Sequence, residues 1–247
     1  GALADMRKRG ITTISYFQVD NPLVRPFDPL FLGLHTGAKS EMSTKVTRKA
    51  HDLERVGNLC LEGGKVKVIE YSEMSEELAK QKNPDGSRKF DAANLAIHLL
   101  DLDFVDRVAG RPEGLPLRRA EKAIPYMDEK GERVQPATPN AVKLETFVFD
   151  VLPLARNPLL LEVDRAEEFS PVKNATGPDS LETSHRDQIE RACRWLERAG
   201  IAVARRPNHA CGAKVEISPL FALDAEEVAA KAFQIPPILD GSVTYLG

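Results

Sequence analysis

Leu159-Leu160-Leu161-Glu162-Val163 is a short apolar run, typical of a strand that is buried on both faces of a sheet. A polar loop at 164–182 follows, and the segment Ser184–Ala199 then carries apolar residues at helical spacing until Gly200 ends it. The apolar stripe of this helix consists of Ile189, Ala192, Cys193 and Leu196. A strand, a loop and an amphipathic helix in this order predict an α/β architecture.

Further strands are predicted before this unit. Residues 11–19 are β-branched and aromatic and stop at Asp20-Asn21-Pro22, and residues 65–71 alternate after a hairpin turn at Gly63-Gly64. The pattern around Asn94 fits either a strand or a helix. We therefore expect an α/β fold with a mixed, largely parallel sheet, in which ligands lie beyond the carboxyl ends of the strands.

Shorter elements fill the remaining chain. Ser75 and Asp103 are the expected N-caps of two short helices, and residues 145–155 favour a helix over a strand. Residues 126–134 predict a small hairpin. The last stretch, 200–247, contains two short β-like pieces and a helix near 225–233, and it predicts a small β-rich lobe of its own.

The composition excludes several classes of partner. The 247 residues carry 34 Lys and Arg against 37 Asp and Glu, a formal net charge of −3, and the two signs are interspersed. No basic face is evident, which argues against a nucleic-acid polymer as a partner. No apolar stretch approaches the roughly 20 residues that a membrane helix needs, so no membrane partner is expected.

The cysteines bear on the cellular compartment of the protein, and its first residues bear on whether it is part of a longer chain. Cys60, Cys193 and Cys211 are far apart and form no CxxC pair, so they predict neither a disulfide framework nor a zinc site, and a cytoplasmic location is expected. The chain opens with Gly1-Ala-Leu-Ala-Asp5 rather than methionine. This opening is expected to be a cut edge within a larger protein.

Charged residues at predicted strand ends are the first candidates for a site. Asp20 follows a predicted strand and could hold Mg²⁺ against phosphates, although an aspartate before a proline is also common as a turn cap. Arg165 and Lys173 lie in the polar loop and could bind phosphate oxygens. A solvated loop in which they pair with nearby acids is the alternative.

Polar and aromatic residues elsewhere could recognise a sugar. Glu70 and Tyr71 end a predicted strand, and Asn94 stands in an otherwise apolar segment; a carboxylate and an amide are groups that a pocket uses to bind hydroxyls. Phe147 and Phe149 are spaced to face one side of a strand, and core packing is their usual role. The sequence contains no zinc-hydrolase, nucleophile-elbow, P-loop or GxGxxG motif.

Six segments, in order along nearly the whole chain, resemble the eukaryotic-type UDP-N-acetylglucosamine pyrophosphorylases. The longest are Pro139-Asn-Ala-Val-Lys-Leu-Glu-Thr-Phe-Val-Phe-Asp150 and Arg165-Ala-Glu-Glu-Phe-Ser-Pro-Val-Lys-Asn-Ala175, which contain the motifs KLETFVFD and EFSPVKNA. The others are Val19-Asp-Asn21, Val68-Ile-Glu-Tyr-Ser-Glu73, Ile124-Pro-Tyr126 and Val215-Glu-Ile-Ser-Pro-Leu220. The long motifs are specific, and their shared order makes coincidence remote.

The resemblance implies a nucleotide-diphospho-sugar transferase-like mixed sheet flanked by helices, with residues 1–199 as the C-terminal part of the catalytic domain and 200–247 as the small lobe. The implied reaction joins UTP and N-acetylglucosamine 1-phosphate, with Mg²⁺, and releases pyrophosphate. The resemblance also implies roles for ten residues. These are metal binding by Asp20, phosphate neutralisation by Lys143, Lys173 and Arg165, and sugar binding by Glu70, Tyr71, Asn94, Phe147, Phe149 and Lys45.

Two departures from the family keep alternatives open. The family's Gly-Ala-Lys aligns with Ser43-Thr44-Lys45, and its Ala-Gly-Asn with Ala92-Ala93-Asn94, so the sugar could be glucose or galactose 1-phosphate instead. The family's glycine-rich phosphate loop would lie before Gly1. The chain alone is therefore expected to be inactive, and a non-catalytic sugar-phosphate-binding module is the alternative of a different class.

Overall fold

The computed structural model describes residues 1–247. Its α-helices are α1 (Ala2–Lys8), α2 (Pro29–Gly37), α3 (Glu76–Ala79), α4 (Leu102–Ala109), α5 (Arg165–Glu168), α6 (Leu181–Arg198) and α7 (Ala225–Ala230). Its strands are β1 (Thr13–Tyr16), β2 (Met42–Arg48), β3 (Asn58–Glu62), β4 (Lys65–Ile69), β5 (Ala92–Asp101), β6 (Arg118–Lys122), β7 (Tyr126–Met127), β8 (Arg133–Val134), β9 (Ala141–Glu145), β10 (Leu159–Glu162), β11 (Lys214–Ile217) and β12 (Val243–Leu246). Two 3₁₀ helices span Val148–Leu154 and Ala232–Gln234.

The chain divides into two compact units. Unit 1 comprises residues 1–16 and 27–162, and unit 2 comprises residues 17–26 and 163–247. The predicted functional division at residue 199 stays a prediction. None of the helices combines the length and the apolar character that crossing a bilayer requires.

Unit 1 is built on a six-stranded mixed sheet. The strand order is β10-β2-β5-β3-β4, and β1 also pairs with β5. Only β10 and β2 run parallel, while the other pairs in this sheet are antiparallel. The mixed α/β sheet is confirmed, but the prediction of largely parallel strands is wrong. Short links such as the Gly63-Gly64 turn, where both φ values are positive, join antiparallel neighbours without a crossover helix.

The prediction that Leu159–Val163 is buried on both faces is also wrong. β10 ends at Glu162, pairs on one side only and leaves Leu160 41% exposed. The central strand is β5, so the segment around Asn94, whose pattern fits either a strand or a helix, is a strand. Leucine and isoleucine side chains from 95 to 100 are buried in it, as the middle of a sheet requires.

The capping residues predicted the positions of the short helices well. Ser75 caps α3 and accepts a hydrogen bond from the backbone of Leu78, as predicted. Asp101 rather than Asp103 caps α4, because the strand β5 continues directly to that residue. Residues 148–154 form a 3₁₀ helix, in agreement with the preference for a helix, and β7 and β8 form the predicted hairpin.

Unit 2 packs α6 against α7, β11 and the loop before β11. α6 begins at Leu181, within the predicted loop, because Ser180 and Thr183 form a capping box. The short helix α5 also lies in that predicted loop. The strands β11 and β12 pair in parallel, and they coincide with the two β-like pieces predicted in the last stretch of the chain.

The cysteine prediction needs correction. Cys193 on α6 and Cys211 form a disulfide with a Cα–Cα distance of 6.6 Å, whereas Cys60 is free. The two residues are 18 apart in sequence and meet only because the loop after α6 folds back onto the helix. Both are buried in the apolar core of unit 2. Sequence spacing alone could not show this approach.

Candidate functional site

Asn94 is held in unit 1 by an irregularity in the central strand. The register between β2 and β5 shifts between Thr44 and Val46, and Ala96 adopts a positive φ of 54°. The side-chain oxygen of Asn94 accepts a hydrogen bond of 3.0 Å from the backbone N–H of Ala96. The amide carbonyl thus supports the bulge, and the amide NH₂ is the group that Asn94 can offer to a ligand.

Glu70 lies next to Asn94. The backbone N–H of Asn94 donates to the carbonyl of Gly57 at 2.8 Å. A methyl group built on Gly57 would lie 3.6 Å from Cβ of Asn94 and 2.9 Å from Oε1 of Glu70. Glu70 and Asn94, which the sequence nominated for sugar hydroxyls, therefore both lie beside Gly57, although β4 ends at Ile69, just before Glu70.

Phe147 and Phe149 belong to the apolar core beside this pair of polar residues. Their rings stack at a centroid distance of 4.9 Å, and Phe149 is 8% exposed. They pack with Val46 and Val68, and Val46 is the register partner of Asn94. The two phenylalanines therefore lie on the face of the sheet that carries Asn94, and their visible role is core packing.

Arg118 is a site residue that the sequence analysis missed. Its guanidinium pairs with the carboxylates of Asp150 and Glu73, and it lies 5.6 Å from the centroid of the Phe147 ring. The hydrogen bonds that Arg118 donates to Asp150, the largest cause, raise the pKa of Arg118 above its usual value. The residue ties β6 to the segment that carries the phenylalanines. Its partners are distant in sequence, so no local pattern could identify it.

Lys45 and Tyr71 do not join this group. Lys45 is fully buried, and its Nζ lies 2.6 Å from Oδ2 of Asp28, the N-cap of α2. Successive residues of a strand face opposite sides, so Lys45 and Val46 point away from each other. Tyr71 is 48% exposed and lies near Asn58 rather than among the core aromatics.

Ser43 replaces a glycine of the family pattern, and its side chain is also turned towards α2. Its hydroxyl lies 2.8 Å from Nδ1 of His35, and Ser43 is fully buried. Burial lowers the pKa of His35. His98 on β5 forms a hydrogen bond with Thr44, the residue after Ser43, and burial lowers the pKa of His98 to about 3. Both imidazoles are therefore neutral at physiological pH and act as structural hydrogen-bonding groups.

Lys143 lies on β9, in the separate two-stranded sheet that β9 forms with β6. Its ammonium group lies 2.8 Å from Oε1 of Glu145, and its side chain is 61% exposed. Within unit 1, the structure therefore shows Lys143 as a surface residue paired with a neighbour.

Asp20 is positioned in unit 2 by the residue that follows it. Asn21 is 3% exposed; its side chain donates to the carbonyl of Glu168 at 2.7 Å and accepts from the N–H of Ser170 at 3.0 Å. The carbonyl of Asp20 accepts from the N–H of Val172 at 2.8 Å. These bonds fix the Asp20 turn against the loop that follows α5. Asn21 is a positioning residue whose role depends on contacts distant in sequence.

Arg165 and Lys173 converge on one aromatic ring of that loop. The guanidinium of Arg165 lies 5.1 Å and the ammonium of Lys173 lies 5.9 Å from the centroid of Phe169. Because Val172 directly precedes Lys173, the loop after α5 carries Lys173 and the backbone contact to Asp20, while Arg165 begins α5 itself. The structure thus brings together three of the predicted residues, and Phe169 was missed as their common support.

Asp20 fits the chemistry of a Mg²⁺ ligand. Its Oδ1 is buried and accepts no hydrogen bond, which is costly for a carboxylate oxygen unless a cation or water completes it. No cluster of three acidic, histidine or cysteine side chains that could hold a metal occurs in the chain. Mg²⁺ commonly takes only one or two carboxylates and completes its shell with water and substrate phosphates, so one aspartate suffices.

The chain belongs to the UTP–glucose-1-phosphate uridylyltransferase family, whose family model matches residues 1–186.

More specific likenesses are to proteins named for N-acetylglucosamine. The chain is 42% identical over 209 residues to a Caenorhabditis elegans protein named "Probable UDP-N-acetylglucosamine pyrophosphorylase", covering 83% of this chain and 43% of the relative. It is 40% identical over 206 residues to the UDP-N-acetylglucosamine pyrophosphorylase of Saccharomyces cerevisiae, covering 81% of this chain and 43% of the relative. The chain thus spans about half the length of such relatives or less.

A solved structure supports the fold. The crystal structure of the uridine diphosphate N-acetylglucosamine pyrophosphorylase from Trypanosoma brucei, in complex with an inhibitor, superimposes with a TM-score of 0.78 at 27% identity. The match covers 100% of this chain and 51% of that chain. The nucleotide-diphospho-sugar transferase-like fold expected from the sequence is confirmed.

Proposed function

We propose that this chain serves a uridylyltransferase that forms UDP-N-acetylglucosamine and pyrophosphate from UTP and N-acetylglucosamine 1-phosphate. The rest of the enzyme would correspond to the part of the relatives that this chain does not match. Relatives that carry this activity in their names support the substrate choice. The geometric observation that carries the proposal is the convergence of Asp20, Lys173 and Arg165 on one loop of unit 2.

The chemistry needs alignment and charge stabilisation more than a strong base. The sugar phosphate is already an oxyanion, and its attack on the α-phosphorus of UTP expels pyrophosphate. Lys173 and Arg165 would bind phosphate oxygens and offset the negative charge that moves during this displacement. Mg²⁺, when held by Asp20, would supply further neutralisation at the phosphates. The exposed Lys143 is proposed for the same task.

Glu70 and Asn94 would recognise the sugar. The carboxylate accepts hydrogen bonds from hydroxyls, and the amide NH₂ donates to an acceptor such as a hydroxyl or acetamido oxygen. Phe147 and Phe149 would wall this pocket from the core side. Tyr71, which follows Glu70 in the sequence, and the buried Lys45 would support it indirectly.

The sugar preference can be measured directly. In the uridylyltransferase that contains this chain, kcat/KM for N-acetylglucosamine 1-phosphate should exceed that for glucose 1-phosphate by at least tenfold, roughly one well-placed polar contact. A preference for glucose 1-phosphate would favour the alternative that the family model's own description suggests. Galactose 1-phosphate is the third substrate to compare.

We also propose a cytoplasmic location for this enzyme. The Cys193–Cys211 disulfide is the observation that speaks against it, since disulfides are rare in reducing compartments. Thiol alkylation of the protein in intact cells, followed by mass measurement, distinguishes the cases: in a reducing cytoplasm both cysteines should be alkylated.

A further inference from the structure

Gly57 directly precedes β3 and accepts the backbone hydrogen bond of Asn94 through its carbonyl. Its φ lies outside the left-handed region, in contrast to Gly63 and Gly64 at the far end of the same strand. The backbone conformation at residue 57 therefore does not require a glycine. The reason for a glycine must lie in the space around its Cα.

That space is taken by two side chains. A Cβ at residue 57 would lie 2.8 Å from Cγ1 of Val68 and 2.9 Å from Oε1 of Glu70. Both distances are well inside van der Waals contact, so a methyl group would force a neighbour to move. Val68 is 4% exposed and packed in the core of unit 1, whereas Glu70 is only partly buried. The carboxylate is the group with room to yield.

We infer that Gly57 is a positioning residue for Glu70. Its missing side chain creates the room in which the carboxylate lies beside Asn94, and its carbonyl fixes the backbone of Asn94 at the same time. One residue thus sets the relative placement of a hydrogen-bond acceptor and a donor. The consequence for sugar binding rests on the proposed function, but the positioning itself does not.

The positioning can be tested without any ligand. The glutamate side-chain carboxyls are labelled with ¹³C, and the resonance of Glu70 is assigned by its loss in Glu70→Gln. In Gly57→Ala this resonance should shift. In the matched control Gly33→Ala, where a Cβ meets nothing within 4 Å, it should stay as in the wild type.

Folding is checked by thermal melts. Should Gly57→Ala fail to fold, Gly57→Ala/Val68→Ala carries the same test, because it removes the core overlap and keeps the overlap with the carboxylate. An unchanged Glu70 resonance in either folded variant would overturn the inference, whatever the kinetics show.

Kinetics then separate the inference from the proposed function. In the uridylyltransferase that contains this chain, Gly57→Ala should raise KM for N-acetylglucosamine 1-phosphate about tenfold and leave KM for UTP unchanged. Added to Glu70→Gln, it should raise KM little further, since the group it displaces is already altered. A shifted Glu70 resonance with an unchanged KM would support the positioning and contradict the proposed role of Glu70 in sugar binding.

Discussion

At the scale of single residues, Asp20 and Lys173 carry the strongest functional expectation. Both lie where charge would be redistributed in the proposed displacement, so their loss should lower kcat more than it raises KM. We expect Asp20→Ala and Lys173→Ala each to lower kcat by roughly a hundredfold, equivalent to about 3 kcal/mol. The measurement is steady-state turnover over a Mg²⁺ titration in the proposed uridylyltransferase that contains this chain.

Two controls accompany these variants. Thermal melts should show little change, because Lys173 is exposed and the Asp20 turn is held by its backbone and by Asn21. Lys214→Ala, another exposed lysine of unit 2, should leave kcat unchanged. Near-normal turnover in both folded variants would return Asp20 to a turn cap and Lys173 to a solvated loop residue.

Glu41 carries a stability prediction with a definite pH dependence. Burial alone would raise the pKa of Glu41, but hydrogen bonds from Arg156 and the charge of Arg107 lower it below its usual value. Its carboxylate, 9% exposed, accepts from the backbone N–H of Arg156 at 2.7 Å and from its Nε at 2.8 Å. We expect Glu41→Gln to lower the free energy of unfolding by about 2 kcal/mol at pH 7.

This stabilisation should disappear in acid. Because the pKa of Glu41 is lower in the folded than in the unfolded state, the contribution is present above an unfolded pKa of about 4.3 and is lost as the pH falls through the folded value. Denaturant unfolding at several pH values should show wild type and variant converging below pH ~4. In the control, Glu162→Gln breaks an exposed pair with Arg48 and should cost less than about 1 kcal/mol. A pH-independent difference would show that Glu41 stabilises by packing instead.

At the scale of secondary-structure elements, the Cys193–Cys211 disulfide joins α6 to the loop before β11. Three further contacts hold the same loop: Glu190 accepts from the N–H of Cys211, and Arg205 pairs with Glu190 and with Glu197. Closing a loop of this length should stabilise the fold by about 3 kcal/mol. We expect a reductant to lower the midpoint of denaturation accordingly in the wild type and in Cys60→Ser.

A thiol count provides the decisive control for the disulfide. The unfolded protein should react with thiol reagent at one cysteine before reduction and at three after it. Three reactive thiols before reduction would show that the pair is a dithiol, and the loop would then be held by its non-covalent contacts, among them those of Arg205 and Glu190.

Among these elements, local turns and helix starts could be predicted from the sequence, whereas strand direction and burial could not. Capping residues such as Ser75 and turn residues such as Gly63-Gly64 determine local geometry, so α3 and the β3–β4 hairpin were predicted well. Strand direction and burial depend on which strands pair, and pairing is a long-range property that a local pattern does not show. The predictions of a largely parallel sheet and of a strand β10 buried on both faces were wrong for this reason. The resemblance to the family nominated Glu70 and Asn94. No local pattern pointed to Gly57, which lies beside both residues in the structure.

At the scale of the whole molecule, unit 1 and unit 2 each contain a different part of the proposed chemistry. Unit 1 holds the carboxylate and amide suited to a sugar, and unit 2 holds the aspartate and the two cations suited to phosphates. The sequence predicted the composition of both groups from motifs. It could not predict the supports, because Asn21, Phe169 and Arg118 act through long-range contacts.

The last prediction concerns the 247-residue chain by itself. Its sequence contains no glycine-rich phosphate loop, and it spans 43% of the length of the C. elegans relative. Without backbone amides to cradle the UTP phosphates, alignment for displacement is lost, and this term can account for many orders of magnitude in rate. We therefore expect no pyrophosphate release when the purified chain is mixed with UTP, N-acetylglucosamine 1-phosphate and Mg²⁺. The same chain joined to the N-terminal half of the S. cerevisiae relative is the positive control. Turnover by the chain alone that Asp20→Ala abolishes would contradict the prediction, and it would show that these residues suffice for catalysis.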